Sequence, residues 1–196
     1  MGWLNETLRK SVHLSSLVIP LSYRYILGFE NRKLAFVLLL LSLVISMVIE
    51  FHRFWQKSFR KTFHRIFGRI LRKHEMKDFT GATYLLFASM LCVAFFEPII
   101  ASASIAFLSI GDTFAAMIGM NFGKRKFLRN NKSLEGSLAC FVSCFIFGIF
   151  WLQNPWLTLI GSLSATAAEL GKIPLDDNIK IPLTASLALS LAGIFI

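Results

Sequence analysis

The sequence predicts an all-α, polytopic membrane protein of about seven transmembrane helices, with one basic amphipathic helix lying in the membrane interface. Three observations lead there. Of its 196 residues 55% are hydrophobic, 20 of them Phe, and the mean hydropathy is +0.62. A soluble domain of this size does not carry so many long uncharged runs, each near the roughly 17–25 residues that cross a bilayer. The net charge of +10 is also gathered rather than spread. Arg53, Lys57, Arg60, Lys61, Arg65, Arg69, Arg72, Lys73 and Lys77 fall in one segment, and Lys124, Arg125, Lys126, Arg129 and Lys132 in another. In a membrane protein such clusters set orientation, and no nucleic-acid partner is expected.

In chain order the spans are expected at about 12–29, 34–51, 79–97, 98–120, 135–152, 156–173 and 181–196. No cleavable leader with a small-residue site is evident near the start, so the first stretch is expected to remain as a span. Arg24 interrupts it, close enough to one end to snorkel. Gly136–Ala168 is free of charge, but as one helix it would run roughly 50 Å, so Gln153-Asn154-Pro155 is read as a turn. Glu97-Pro98 is read as a similar turn. This succession puts the N-terminus, 52–78, 121–134 and 173–180 on one side and the short loops on the other. The positive-inside rule makes the first side cytoplasmic and leaves the C-terminus outside. The chain is read as a single domain.

Between the second and third spans, about 53–73, Trp55, Phe59, Phe63, Ile66, Phe67, Ile70 and Leu71 share one helical side. Lys57, Lys61, Arg65 and Arg69 share the other, while Phe54 breaks the pattern. This is the layout of an interfacial helix whose cations meet anionic lipid headgroups. It serves either as a topology anchor or as a wall that recruits a lipid substrate. Cys92, Cys140 and Cys144 all lie in apolar stretches and are read as small core residues, with no disulfide framework.

Four polar constellations stand out. Glu6, Arg9, Lys10 and His13 share a helix face, either as solvated pairs or, since His13 already lies in an apolar stretch, turned inward. Arg72, Glu75, Phe79, Thr80 and Gly81 precede the third span, where helix-terminal amides attract an anion or are simply capped. The run Gly111–Gly136 begins in an apolar segment that holds Asp112, and an ionised carboxylate in lipid costs at least about 2.5 kcal/mol unless it faces a polar interior. Asp112 is therefore a functional candidate, suited to Mg²⁺, which is held by one or two carboxylates plus substrate phosphates. Gly119 and Gly123 permit close helix packing or approach of backbone to a nucleotide. Lys124, Lys126 and Lys132 either hold phosphates or are ordinary cytoplasmic charge, and Glu135 binds metal or orients a lysine. Glu169 is a second carboxylate in an apolar stretch, and Asp176-Asp177-Asn178 is a turn or a site before Pro182. Carboxylates and many cations at one membrane face suit metal-assisted transfer of a phosphorus group.

The order and spacing of these motifs resemble those of the CTP-dependent lipid kinases: dolichol kinase, phytol kinase and yeast-type diacylglycerol kinase. The matching stretches are E-x-x-R-K-x-x-H at Glu6–His13, R-x-x-E…T-G at Arg72–Gly81, G-D-T-x-A-A-x-x-G-x-x-x-G at Gly111–Gly123, K-S-x-E-G-S at Lys132–Ser137 and D-N-x-x-x-P at Asp177–Pro182. The central stretch is also similar to that of phosphatidate cytidylyltransferases, but their His-Gly-Gly…Asp-Arg element is absent and Asp177-Asn178 stands in its place. The resemblance implies transfer of the γ-phosphoryl group of CTP to the hydroxyl of a membrane lipid alcohol. It implies a divalent cation, Mg²⁺, at Asp112 with Glu135 or Asp177. It places Arg9, Lys10, Arg72, Gly119, Gly123, Lys124, Lys126, Lys132, Ser133 and Asn178 around the nucleotide, and makes Asp177 or His13 the proton acceptor. Cytidylyl transfer to a lipid phosphate is the alternative, and a non-catalytic transporter or scaffold a third reading. Neither the acceptor lipid nor the oligomeric state is readable from the chain.

Overall fold

Pro98 opens the helix around which the others pack. In the computed structural model, which describes residues 3–126, 132–171 and 173–194, helix α6 (Pro98–Phe122) has every residue from Ile100 to Thr113 buried. Its small residues, Ala101, Ser102, Ala103, Ser104 and Ala106, let neighbouring backbones approach closely. Before it come α1 (Trp3–Ser15), α2 (Val18–Ser22), a π-helical turn (Tyr23–Leu27), a 3₁₀ turn (Phe29–Asn31), α3 (Arg32–Trp55), α4 (Lys57–Phe67) and α5 (Gly81–Phe95). After it come α7 (Leu134–Leu152), α8 (Pro155–Leu170) and α9 (Asp177–Gly193). The class is all-α as expected, with no strand among the described residues. Among the described residues three helices are long and apolar enough to cross a membrane: Phe29–Trp55, Pro98–Phe122 and Leu134–Leu152.

The first expected span is not one regular helix. Pro20 has no amide to continue the ladder to Ser16, whose carbonyl instead accepts from the Ile19 amide at 3.0 Å. The chain nevertheless runs the length of α6, antiparallel to it. Trp3 Nε1 donates to Asn121 Oδ1 (3.1 Å), the Ser16 and Ser109 hydroxyls meet at 2.6 Å, and Arg24 reaches the far end. There its guanidinium donates to the Trp151 carbonyl (3.0 Å) and lies 4.5 Å from the Trp151 ring, satisfying the C-terminus of α7.

The basic helix is shorter than the expected 53–73. Arg53 belongs to α3, where it forms a buried ion pair with Glu50, and Gln56 is extended before α4 begins. The turn at 153–155 is as expected: Gln153 is left-handed (φ 54°), Asn154 caps α8 through the Trp156 and Leu157 amides (3.0 and 3.1 Å), and Pro155 occupies the first turn. The last helix starts four residues earlier than expected, because Asp176 caps it through the Asn178 amide at 2.9 Å. Asp177-Asn178 is thus the first turn of α9.

Helix α7 lies antiparallel against α6, and glycine sets the spacing. A Cβ on Gly136 would stand 2.7 Å from the Ala115 carbonyl oxygen, and one on Gly111 would meet the Cys144 and Cys140 sulfurs at 2.7 and 2.9 Å. The two cysteines are buried free thiols that pack against Gly111. Gly136→Ala is expected to cost about 1–3 kcal/mol, because a backbone carbonyl cannot yield as a side-chain tip does. A fall in Tm in detergent, with unchanged helical circular dichroism at low temperature, checks this.

The starts of α5, α7 and α9 and the ends of α3, α6 and α8 lie at one end of the bundle. Glu50 meets Thr80, Gly136 meets Ala115, Lys132 meets Glu169, and Asn178 meets Gly81. Every polar constellation of the sequence gathers there.

Candidate functional site

Asp112 is not alone in the apolar interior. The ammonium of Lys10, only 1% exposed, forms an ion pair with its carboxylate and donates to its backbone carbonyl at 3.0 Å. His13 Nε2 lies 3.5 Å from the same carboxylate oxygen and has no hydrogen-bond partner among the described residues. The α1 face therefore turns inward rather than to solvent. Lys10, expected on nucleotide phosphates, is engaged by Asp112 instead. Arg9 is held by Glu6, its Nε donating at 3.1 Å.

The Arg72–Gly81 segment folds back on the start of α5. The Glu75 carboxylate accepts from the Arg72 amide (2.8 Å) and the Gly81 amide (3.1 Å), and Glu50 accepts from the Thr80 amide (2.9 Å). The anion expected at this helix N-terminus is thus supplied by the protein itself. Arg53 donates to the Glu75 and Asp78 carbonyls at 2.7 and 2.5 Å, which fixes the loop. Glu50 and Arg53 were not singled out from sequence. The signal was there, an acid and a base three residues apart at the end of an apolar span, but Arg53 reads equally well as the first cation of the basic helix. Arg72 reaches across to Asp176 (3.4 Å), which also accepts from Asn178 Nδ2 at 2.7 Å.

In Lys132–Ser137 each residue has a distinct part. Lys132 lies 3.0 Å from Glu169 Oε1 and 3.3 Å from Asp177 Oδ2. Burial works against its charge, but Asp177 and Glu169 outweigh it and raise its pKa. Ser133 caps α7 by accepting from the Gly136 amide (3.1 Å), and Glu135 accepts from the Arg125 amide at 3.3 Å. Ser137 donates to the Glu169 carboxylate at 3.4 Å. A Cβ on Gly119 or Gly123 would stand 3.1 or 2.7 Å from Ser133 Oγ, so both glycines let the start of α7 approach the end of α6 closely. Lys124 and Lys126 are exposed, and Arg129 lies outside the described residues. Asp177 is gripped on its other oxygen by Lys180 at 2.8 Å.

Asp112, expected to hold a metal with Glu135 or Asp177, belongs to no three-ligand cluster: among the described residues no group of three or more His, Cys, Asp or Glu side chains is placed to hold an ion. Asp112 is paired with Lys10, Glu135 with the Arg125 amide, and Asp177 with two lysines. Mg²⁺ needs no such cage when substrate phosphates complete its shell, so one carboxylate such as Asp112 is enough in kind, with Lys10 already on one of its oxygens.

Two cavities open beside these clusters. One, of about 470 Å³, lies among α1, α3, α4 and α5 and is mostly apolar, with Arg9, His13, Glu50, Glu75, Thr80 and Asn178 on its wall. The other, of about 400 Å³, is bounded by Arg72, His74, Asp78, Tyr84, Asp176 and Asp177. Phe63 and Phe67 of α4 line the first, so the apolar face of the basic helix covers this cavity, while Lys57, Lys61 and Arg65 are exposed.

The chain is 31% identical over 140 residues to CTP-dependent diacylglycerol kinase 1 of Schizosaccharomyces pombe, covering 62% of this chain and 64% of that protein. It is 29% identical over 145 residues to the Saccharomyces cerevisiae protein of the same name, covering 60% and 50%. Over 83 residues it is 34% identical to dolichol kinase sec59 of Schizosaccharomyces pombe, covering 39% and 16%. The chain thus spans between half and two thirds of the two diacylglycerol kinases' length. No family model matches it, and no solved structure matches it significantly.

Proposed function

We propose that this chain, a homologue of the CTP-dependent lipid kinases, is itself one: it transfers the γ-phosphoryl group of CTP to the hydroxyl of a membrane lipid alcohol. One observation carries the reading: the buried Lys10–Asp112 pair, with His13 beside it at an apolar cavity. An acid, a base and cations at the end of an apolar chamber suit a reaction between a charged nucleotide and a greasy alcohol. Such transfer depends on positioning and charge neutralisation more than on covalent chemistry.

In this reading the lipid hydroxyl oxygen forms the new bond to the γ-phosphorus, and the bond to the β,γ-bridging oxygen breaks. CDP leaves with that electron pair. The hydroxyl proton passes to His13 Nε2, the unpartnered base nearest Asp112. Asp177 suits this role less well, held as it is between two ammonium groups. Asp112 would hold Mg²⁺ together with phosphate oxygens, and the ion when bound neutralises charge on the transferring group. Arg9 and Arg72, joined by Lys124 and Lys126 at the mouth, hold the triphosphate. Lys132 positions Glu169 and Asp177, while Ser133, Gly119, Gly123 and Asn178 shape the backbone that receives the nucleotide.

The chain is taken to traverse the membrane seven times, the first time as the broken helix from Trp3 to Leu27. The polar end then faces the cytoplasm, by the positive-inside rule. The exposed cations of α4 meet anionic headgroups. His13→Gln is expected to lower kcat by about 10²–10⁴-fold with little change in KM for CTP. Steady-state kinetics in nanodiscs check this. The function itself is tested by offering diacylglycerol, phytol and a polyprenol with CTP and ATP as competing donors. Phosphorylation of one alcohol with preference for CTP supports the reading, and no product from any pair overturns it.

A further inference from the structure

We infer that the 470 Å³ cavity beneath α4 is the acceptor site, holding the head and first tail segment of the lipid alcohol, with α4 as its wall. This rests on the lipid kinase reading for its chemistry but not for its geometry. The lining is mixed. Glu50, Glu75 and Thr80 meet at the start of α5 and α1 contributes Arg9 and His13, while Phe63, Phe67, Ile70 and Leu86 supply apolar wall. Such a lining suits a ligand with one polar end. Its orientation is also set, because His13 both lines the cavity and lies 3.5 Å from the Asp112 carboxylate. A hydroxyl at the polar end would stand against the His13 imidazole, behind which lies the buried Lys10–Asp112 pair. A tail pointing the other way would put apolar carbon against the Arg9 and Glu75 charges and the hydroxyl against phenylalanine and leucine, where it finds no partner.

The wall has an unusual construction. The Phe63 and Phe67 rings pack at a tilt with centroids 4.9 Å apart, and Phe63 also packs 5.3 Å from the Arg53 guanidinium. Arg53 in turn holds the loop that carries Glu75. Helix α4 is therefore tied to the polar end of the cavity rather than resting passively on the membrane surface.

Volume sets what can enter. Pockets of roughly 300–1,000 Å³ enclose a drug-sized ligand. This one takes a headgroup and the start of a tail, not two whole acyl chains or a polyprenol. The rest of the tail must run out among the lipids. Discrimination between acceptors then falls on the groups next to the hydroxyl, and tail length beyond the cavity has little effect on kcat/KM.

Ala82 lies on α5 with its side chain exposed to the cavity, so Ala82→Phe fills the chamber without crowding the core. The test uses the full chain in nanodiscs with two photoaffinity probes, a diacylglycerol and a long isoprenoid alcohol, each bearing a diazirine near the head end of its tail. With at least one probe, labelling is expected on the peptides holding Phe63, Phe67 and Leu86. It should be competed by the unlabelled alcohol and fall at least about tenfold in Ala82→Phe. Phe67→Ala, which enlarges the chamber, should retain the label on α5. Label confined to the outer surface of α3, at Leu41, Ile45 and Val48, and unchanged in Ala82→Phe, overturns the site. The two readings fail separately. Cavity labelling without CTP-dependent phosphorylation keeps the site and removes the kinase. Product formation by Ala82→Phe at an unchanged lipid KM keeps the kinase and removes the site.

Discussion

Asp112→Asn is expected to lower turnover by more than about a hundredfold while the protein stays folded. The substitution keeps size and shape and leaves an amide oxygen facing the Lys10 ammonium, but it removes the charge. The docking of α1 against α6 is backed by the Ser16–Ser109 and Trp3–Asn121 hydrogen bonds, which the change does not touch. What it does leave is a buried lysine without its counter-charge. Breaking such a pair from one side costs about 3–5 kcal/mol, so a lower Tm accompanies the loss of activity. Lys10→Met combined with Asp112→Asn separates the two effects. With both charges gone the stability should largely return, and the activity should not. Initial rates and Tm measured on the same nanodisc samples check this, and near-normal activity in the single variant would sink the role given to Asp112.

Arg53→Met is expected to destabilise the fold by about 3–5 kcal/mol. Arg53 is 1% exposed and Glu50 2%, so removing the guanidinium leaves a carboxylate buried and uncompensated. It also frees the Glu75 and Asp78 carbonyls, to which Arg53 donates. Glu50→Gln on the same background should recover part of the loss, because the pair is then neutral on both sides. The interaction energy from the double-mutant cycle is the decisive quantity. A cycle that closes to zero would mean that the two side chains do not act together. Activity should fall as well, since the loop they hold carries Glu75 and Arg72 to the site.

Much of this was legible from residues alone, for reasons that can be stated. Asp112 stood out because a carboxylate in an apolar span is costly unless it faces a polar interior or a partner. Its partner did not, because Lys10 lies 102 positions away, and helical spacing shows which side chains share a face but not which helices meet. The turn at Gln153-Asn154-Pro155 was readable because a left-handed residue, a cap and a first-turn proline are local devices. The end of the basic helix was not. The cationic pattern continues smoothly through Arg53, and only its pairing with Glu50 draws that residue into α3. The apolar face of α4 was likewise visible, but amphipathicity tells that a face is covered, not by what. The same limit applies to Glu75. Its place before a helix start suggested an anion site, and only the fold shows Glu75 to be the anion.

The central claim is that the γ-phosphorus is the atom attacked. It is tested most directly by incubating the protein in nanodiscs that hold both the lipid alcohol and the corresponding lipid phosphate with CTP labelled at either the γ- or the α-phosphate, with Asp112→Asn alongside. The account predicts γ-label in the lipid, α-label only in CDP, and neither product in the variant. Label from the α-phosphate entering the lipid, with the γ-label released in pyrophosphate, would contradict it and make the protein a cytidylyltransferase.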